Sequence, residues 1–323
     1  MINDILLDTK NLRKYYPITS GLFSQHVGDV KAVDGVSFQL KMGEILGLVG
    51  ESGCGKSTLG RTILMLEKPT GGEIHYRGAD ITYLDKNALR KLRKEMQIVF
   101  QDPEASLDPR MTVGDSIAEG LVVHGVGNEK ERMTIISELL EQVGLEADQA
   151  DLYPHEFSGG QKQRIGIARA LAINPTLIIA DEPVSALDVS IQAQILNLML
   201  DIQRKLQLSY IFIAHDLAVI RYMSNMVAVM YLGKIVEMAE THELFLNPLH
   251  PYTEALLSAV PSLQCRKSEK ILLRGDVPSP AAPPSGCRFH TRCFKAIPVC
   301  SKVEPELIEI TGGHLAACHL IRK

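Results

Sequence analysis

Gly50-Glu51-Ser52-Gly53-Cys54-Gly55-Lys56-Ser57-Thr58 is the stretch that decides the fold. It follows Ile45-Leu46-Gly47-Leu48-Val49, which reads as a buried strand. It precedes Thr58-Leu59-Gly60-Arg61-Thr62-Ile63-Leu64, which reads as a helix. The pattern is G-x-x-x-x-G-K-[ST] in a strand–turn–helix setting. Its glycines, Gly50, Gly53 and Gly55, let the backbone curl so that successive N–H groups, those of Ser52 and Cys54 included, point at phosphate oxygens. The helix entered at Thr58 presents its positive end to the same anion. Lys56 reaches the outer phosphates, and the Ser57 hydroxyl suits Mg²⁺.

Outward from this loop the chain alternates strands and helices. Val36, Phe38 and Leu40 alternate with Ser37 and Gln39, a half-buried strand pattern. The first forty residues therefore read as antiparallel strands, turned by Gly43 into the phosphate-loop strand. Met96 to Phe100, Leu177 to Ala180, Tyr210 to Ala214 and Met226 to Met230 read as further buried strands. Ile135, Ile136, Leu139, Leu140 and Val143 recur at helical spacing, as do Ile191, Ile195, Leu198, Ile202 and Leu206. The alternation predicts an α/β fold with a mostly parallel sheet covered on both faces. The helical stretch between Gln101 and Gln161 interrupts that rhythm and reads as an inserted helical subdomain, about 102–170. After Pro248 the texture changes, and Gly275 to Gly286 is rich in Pro, Ser and Ala. The expected division is a main domain over 1–255 and an extension over 256–323. The unit does not repeat, so one nucleotide-binding cassette is expected.

The polar residues at the strand ends carry the chemistry. Asp181 and Glu182 close an apolar run, where one carboxylate can hold Mg²⁺ and the next can polarise an attacking water. The bland alternative is a pair of solvated loop acids, which a nearby phosphate loop disfavours. His215 ends the next strand, where it can bond a terminal phosphate or position the water. Gln101 ends another, within amide reach of metal or water. Strand ends that deliver Gln, Asp-Glu and His to one edge agree with ligand binding at the carboxyl ends of parallel strands. Ser158-Gly159-Gly160-Gln161 precedes a helix with Ser158 at its N-cap. It is either a plain capped turn or a second anion grip. A grip on an ATP held by a partner molecule is the more natural geometry.

Charge and composition exclude other classes. A net charge of −4 offers no global basic field for nucleic acid. Met1-Ile2-Asn3-Asp4-Ile5 carries no basic stretch followed by an apolar run, so no secretory leader is read. The sequence contains no apolar stretch long enough to span a bilayer. A cytoplasmic protein that docks on a membrane partner is expected. Of six cysteines, Cys287, Cys293, Cys300 and Cys318 crowd the C-terminal end; in a reducing compartment disulfides are a poor default for them.

Together these motifs resemble the ATP-binding subunit of an ABC transporter, over roughly residues 5–255. Gly50 to Thr58 is similar to the Walker A motif, Gln101 to the Q-loop, Ser158 to Gln161 to the signature, and Leu177 to Asp181 to Walker B. Glu182 falls at the family's catalytic glutamate, Ser185 to Asp188 at the D-loop, and His215 at the switch histidine. Tyr16 falls where the family stacks an aromatic on adenine, with Tyr15 as neighbour. The resemblance implies a P-loop NTPase (RecA-like) core with an N-terminal antiparallel β subdomain. It implies ATP and Mg²⁺ as ligands, the metal lying near Ser57, Gln101 and Asp181. It also implies two cassettes paired head to tail, each ATP lying between one Walker A loop and the opposite signature. Asp102 to Gly125 would contact the transmembrane subunits.

Phe100-Gln101-Asp102-Pro103, Pro154-His155-Glu156-Phe157 and Asn247-Pro248-Leu249-His250-Pro251-Tyr252-Thr253, followed by Cys287-Arg288-Phe289-His290, resemble the dipeptide and oligopeptide import subfamily. That subfamily also holds nickel and glutathione importers. The resemblance is to its F-type ATPase subunit. It implies a non-identical D-type ATPase paralogue, two permease subunits, an extracytoplasmic solute-binding protein and a peripheral place on the cytoplasmic face of the membrane. A soluble ABC protein of translation or repair is the competing class, but the expected second cassette or long coiled coil is missing from the sequence. Subfamily members with this four-cysteine pattern are similar to ones that carry a 4Fe–4S cluster. The thiols read as cluster ligands or as free thiols, with zinc as a third alternative. Cys54, at a helix N-terminus, is expected to have a lowered pKa and raised reactivity.

Overall fold

The computed structural model describes residues 4–21, 25–259 and 271–321. In chain order the strands are β1 (Ile5–Ser20), β2 (Gln25–Lys41), β3 (Ile45–Val49), β4 (Gly71–Tyr76), β5 (Ala79–Asp80), β6 (Met96–Val99), β7 (Leu177–Asp181), β8 (Ser209–Ile213), β9 (Met226–Tyr231), β10 (Lys234–Glu240), β11 (Ile308–Thr311) and β12 (His314–Ala316). The helices are α1 (Lys56–Ile63), α2 (Lys86–Glu95), α3 (Pro103–Ser106), α4 (Val113–Val123), α5 (Glu129–Gln142), α6 (Gly159–Leu171), α7 (Val189–Leu206), α8 (Leu217–Met223), α9 (Thr241–Leu246) and α10 (Pro251–Ser258). The chain forms two compact units, one from residues 1–83 and 214–323, the other from 84–213.

The first unit begins with an antiparallel sheet in the order β2-β1-β4-β5. In β2, Val33, Val36, Phe38 and Leu40 are buried, the last three on one face at period two. A second sheet runs β11-β12-β10-β9-β3. Here β3 pairs with β9 in parallel, Leu48 opposite Ala228, and β9 pairs with β10 antiparallel. Every residue of β3 is buried, as suits a central parallel strand covered on two sides. The C-terminal extension adds β12 to β10, with Glu237 opposite Ala316.

The second unit holds three parallel strands in the order β8-β7-β6. All of β7 and β8 is buried. Between β6 and β7 the chain forms α3 to α6 with two 3-10 turns, 147–151 and 154–156. Ile136, Leu139 and Leu140 of α5 pack inward with Ile117 and Leu121 of α4 and Ile165 of α6. Burial of these side chains, each contributing roughly 1.5–3 kcal/mol, offsets the ordering of short helices that would be marginal alone. Among the described residues no helix is long and apolar enough to cross a membrane.

Candidate functional site

In the first unit β3 ends at Val49 and the loop 50–55 turns into α1. Gly55 forms the N-cap at φ 107°, and a Cβ there would lie 2.0 Å from the Ala32 carbonyl oxygen. A Cβ at Gly50 would lie 2.1 Å from the Met230 carbonyl oxygen. Both positions exclude any side chain, so the glycines serve close backbone approach as well as curl. Lys56 is 5% exposed. Its Nζ donates to the Gly50 carbonyl at 2.7 Å and the Glu51 carbonyl at 3.2 Å, and lies 3.8 Å from the Cys54 Sγ. The loop is braced from behind: the Gly233 N–H donates to the Cys54 carbonyl at 2.8 Å. Ser57 and Thr58 stand in the first turn of α1.

Cys54 corrects the expectation drawn from its position. It is only 2% exposed, and burial pushes its thiol up, against the lowering influence of Lys56. Desolvation outweighs the helix end.

Tyr16 lies on β1. Its hydroxyl donates to Glu67, and the Lys14 ammonium sits 4.9 Å from its ring centroid. Burial and the Glu67 bond raise its pKa. The Tyr15 hydroxyl is bound to Asp34, and its pKa is pushed up to about 12 by burial and that carboxylate. His215 follows Ala214, whose N–H donates to the Leu48 carbonyl at 3.2 Å. Asp216 caps α8 by accepting from the Ala218 N–H at 2.7 Å.

In the second unit Asp181 ends β7 and is 4% exposed. Glu182 follows with φ 47°, in the left-handed region. Its N–H donates to the Ile213 carbonyl at 3.0 Å. The Gln101 amide reaches it from beyond β6, Nε2 to Oε2 at 3.1 Å. Gln101 and Glu182, picked out 81 residues apart, are thus in direct contact. Asp188 is the exposed N-cap residue of α7. Gln192 braces the turn before it, donating to the Val184 and Leu187 carbonyls at 2.9 Å each.

The 158–161 turn forms a capping box. The Ser158 hydroxyl accepts from the Gln161 N–H at 3.4 Å, and the Ser158 N–H donates to the Gln161 side chain at 3.0 Å. Ser158 and Gly159 are exposed. At Gly160 a Cβ would meet the Ile191 Cγ2 at 2.6 Å, so glycine allows α6 to approach α7.

The C-terminal cysteines gather near one another. The Cys287 N–H donates to the Cys300 carbonyl at 2.8 Å. Cys287 is pushed up to about 11, first by burial and then by the neighbouring Cys300, Cys318 and Cys293. Burial also raises Cys293 and Cys318. All four are free thiols. Among the described residues no group of three or more His, Cys, Asp or Glu side chains is arranged to hold a metal ion. A single zinc ion would need such a group, its sulfurs all at about 2.3 Å. Cys265 lies outside the described residues.

Two contacts at the loop had no signal in the sequence. Arg292 and Tyr252 both engage Glu51, from 241 and 201 positions away. A separation that large leaves no periodicity or motif spacing to read.

A buried strand, a glycine loop with a lysine folded into it, a carboxylate-ended strand and a glutamine–glutamate contact describe a nucleotide-hydrolysing cassette. Comparison with known proteins places it further. Residues 33–185 match the family described as ABC transporter, and residues 236–300 match the oligopeptide/dipeptide transporter C-terminal region. The chain is similar to the oligopeptide transport ATP-binding protein AppF of Bacillus subtilis (strain 168), 58% identical over 98% of both chains. It is also similar to the dipeptide transport ATP-binding protein DppF of Haemophilus influenzae, 51% identical over 98% of this chain and 97% of that one. Among solved structures it resembles the ADP- and Pi-bound dimer of the cassette MJ0796, with TM-score 0.65 and 30% identity over 73% of this chain and 99% of that one. CbiO1 from Clostridium perfringens gives TM-score 0.65 and 28% identity over 76% and 92%. The chain belongs to the ABC transporter family, as an ATP-hydrolysing subunit of the peptide-transporter type.

Proposed function

We propose that this subunit hydrolyses ATP to power uptake of dipeptides or oligopeptides through an ABC importer. The observation that carries this reading is the full-length likeness to oligopeptide and dipeptide transport ATP-binding proteins, extension included.

In this reading the N–H groups of the loop 50–58 and the Lys56 ammonium bind the triphosphate. Tyr16 holds adenine at one end. Ser57, Asp181 and Gln101 would hold Mg²⁺, which would supply positive charge to offset that of the triphosphate. Glu182 accepts a proton from the attacking water, and the Gln101 amide holds that carboxylate in one orientation. His215 bonds the terminal phosphate. Ser158, Gly159, Gly160 and Gln161 of one cassette close over the nucleotide of the other, with Asp188 at the seam. Closed and open pairs then differ in nucleotide affinity, and that difference drives the permease subunits between states. Neighbouring partners are a D-type ATPase, two permease subunits and an extracytoplasmic binding protein, with this chain on the cytoplasmic face of the membrane. The domain limits 1–255 and 256–323 belong to the same reading.

Cys287, Cys293, Cys300 and Cys318 would hold a 4Fe–4S cluster, which would cross-link the extension. Anaerobically purified protein is expected to contain about four irons per chain and to absorb near ~400 nm; colourless, iron-free protein overturns that part alone.

The main test is reconstitution with the permease and binding protein in vesicles. Peptide-loaded binding protein should stimulate ATP hydrolysis and ATP-dependent peptide uptake. A complex that hydrolyses ATP but moves no peptide contradicts the substrate class. A chain that does not associate with membrane subunits contradicts the importer reading.

A further inference from the structure

The C-terminal part of the chain returns to the phosphate loop at Glu51. The Arg292 guanidinium forks onto this carboxylate, Nη1 to Oε2 at 2.6 Å and Nη2 to Oε1 at 3.1 Å. The Arg292 side chain is 8% exposed and that of Glu51 26%. The Glu51 peptide N–H donates to the Tyr252 hydroxyl at 2.9 Å. Both the charge and the backbone amide of this loop residue are therefore committed to groups beyond residue 250. The anchors lie in a packed aromatic cluster. Tyr231, Tyr252 and Phe289 pack with ring centroids 4.7–5.3 Å apart and are almost fully buried. Arg292 Nη1 also lies 3.5 Å from the Tyr231 hydroxyl. On the other side of Glu51, its carbonyl accepts from Lys56 Nζ at 3.2 Å. A continuous set of contacts thus runs from the extension through Glu51 to the phosphate-loop lysine.

We propose that Arg292 and Tyr252 are positioning residues for nucleotide binding: by clamping Glu51 they pre-order the phosphate loop, so the chain beyond residue 250 sets nucleotide affinity. The inference rests on reading Gly50 to Thr58 as the phosphate grip. Physically, a loop with three glycines at positive φ loses much freedom when ordered around an anion. Ordering it beforehand removes that cost from binding. A forked guanidinium–carboxylate pair is the interaction type that fixes orientation as well as distance. Glu51 itself carries a negative charge beside the anion site, and the buried Arg292 cation neutralises it. Loss of Arg292 therefore both loosens the loop and leaves that charge to repel phosphate.

The experiment uses the assembled transporter and measures KM for ATP, Kd for fluorescent MgADP, and kcat at saturating ATP. Arg292→Met is expected to raise KM and Kd about tenfold, with kcat within about twofold, because at saturating ATP the bound nucleotide itself orders the loop. Tyr252→Phe, which removes only the hydroxyl that accepts the Glu51 N–H, carries the same test if Arg292→Met fails to assemble, and it should weaken MgADP about fivefold or more. The charge-swapped pair Glu51→Arg with Arg292→Glu should recover most of the affinity lost by either single swap. A lowered Tm with nucleotide affinity unchanged in both single variants overturns the proposal and reduces the pair to a structural tie. Equal loss in the single and swapped variants also overturns it. Lys56→Ala separates the two levels. If it leaves MgADP affinity intact, the phosphate-grip reading fails. If it abolishes affinity while Arg292→Met does not change it, only the clamp fails.

Discussion

At Glu182 the backbone sits at φ 47°, a region that L-residues other than Asn and Asp seldom occupy. The conformation persists because three bonds over-determine it. The Glu182 N–H donates to Ile213, and its carbonyl accepts from the Ser185 N–H at 3.2 Å and the Ser185 hydroxyl at 3.1 Å. Strain of about 1–3 kcal/mol held in this way is typical of residues that must point a side chain into a reaction site. The Gln101 amide then selects the carboxylate rotamer. Glu182→Gln should keep ATP binding and lower turnover by ~10² or more through loss of the general base. Steady-state phosphate release beside nucleotide binding checks this, and near-normal hydrolysis would refute the role. Cys54 shows the opposite balance at the same scale. Its helix-end position argues for a thiolate, and its burial decides for the thiol.

Among the elements, α6 shows how a local signal can carry two meanings. Its capping box is complete, so the 158–161 turn is accounted for by helix chemistry alone. Exposure of Ser158 and Gly159 leaves the same turn available to an anion on its outer side. Substitution separates these roles. Ser158→Ala should cost about 1 kcal/mol of stability and also impair ATP turnover. Ser158→Asn, another strong cap, should restore the stability but not the turnover. Thermal melts and ATPase rates on the same samples give the comparison. If Asn restores both, the serine serves only the helix.

For the molecule as a whole, stability rests partly on a buried polar knot that ties the extension to the rest of the first unit. Glu237 is fully buried and accepts from the Leu249 and His250 N–H groups at 2.7 and 2.9 Å, and from His314 Nε2 at 2.7 Å. His250 accepts the Tyr252 N–H on Nδ1 at 3.1 Å, which requires a neutral ring. Burial lowers its pKa from 6.5 to about 4, against the opposing pull of Glu237. Above pH 6.5 the ring is neutral folded and unfolded, and its contribution is fully present. Between 6.5 and 4 the unfolded chain takes up a proton that the folded chain refuses, so stability falls as pH falls, by about 1.4 kcal/mol per pH unit. Denaturation midpoints at pH 7, 6 and 5 should therefore fall, and His250→Asn, which can still cap α10, should flatten that slope. An unchanged slope in the variant would remove His250 from the acid response.

The sequence by itself determined the engine. Strand, glycine turn and helix are contiguous at 45–64, and the caps and strand-end carboxylates are equally local, so residue type and spacing suffice to show them. Family likeness extended that reading to the C-terminal region, residues 236–300. Tertiary structure alone decided what surrounds the engine. Arg292 meets Glu51 and Arg288 meets Asp34 across 241 and 254 residues, and burial of the loop raises the Cys54 thiol where its helix-end position alone would lower it. Such contacts arise where distant segments are packed together, and burial, which sets their strength, is a property of that packing and not of any window of sequence.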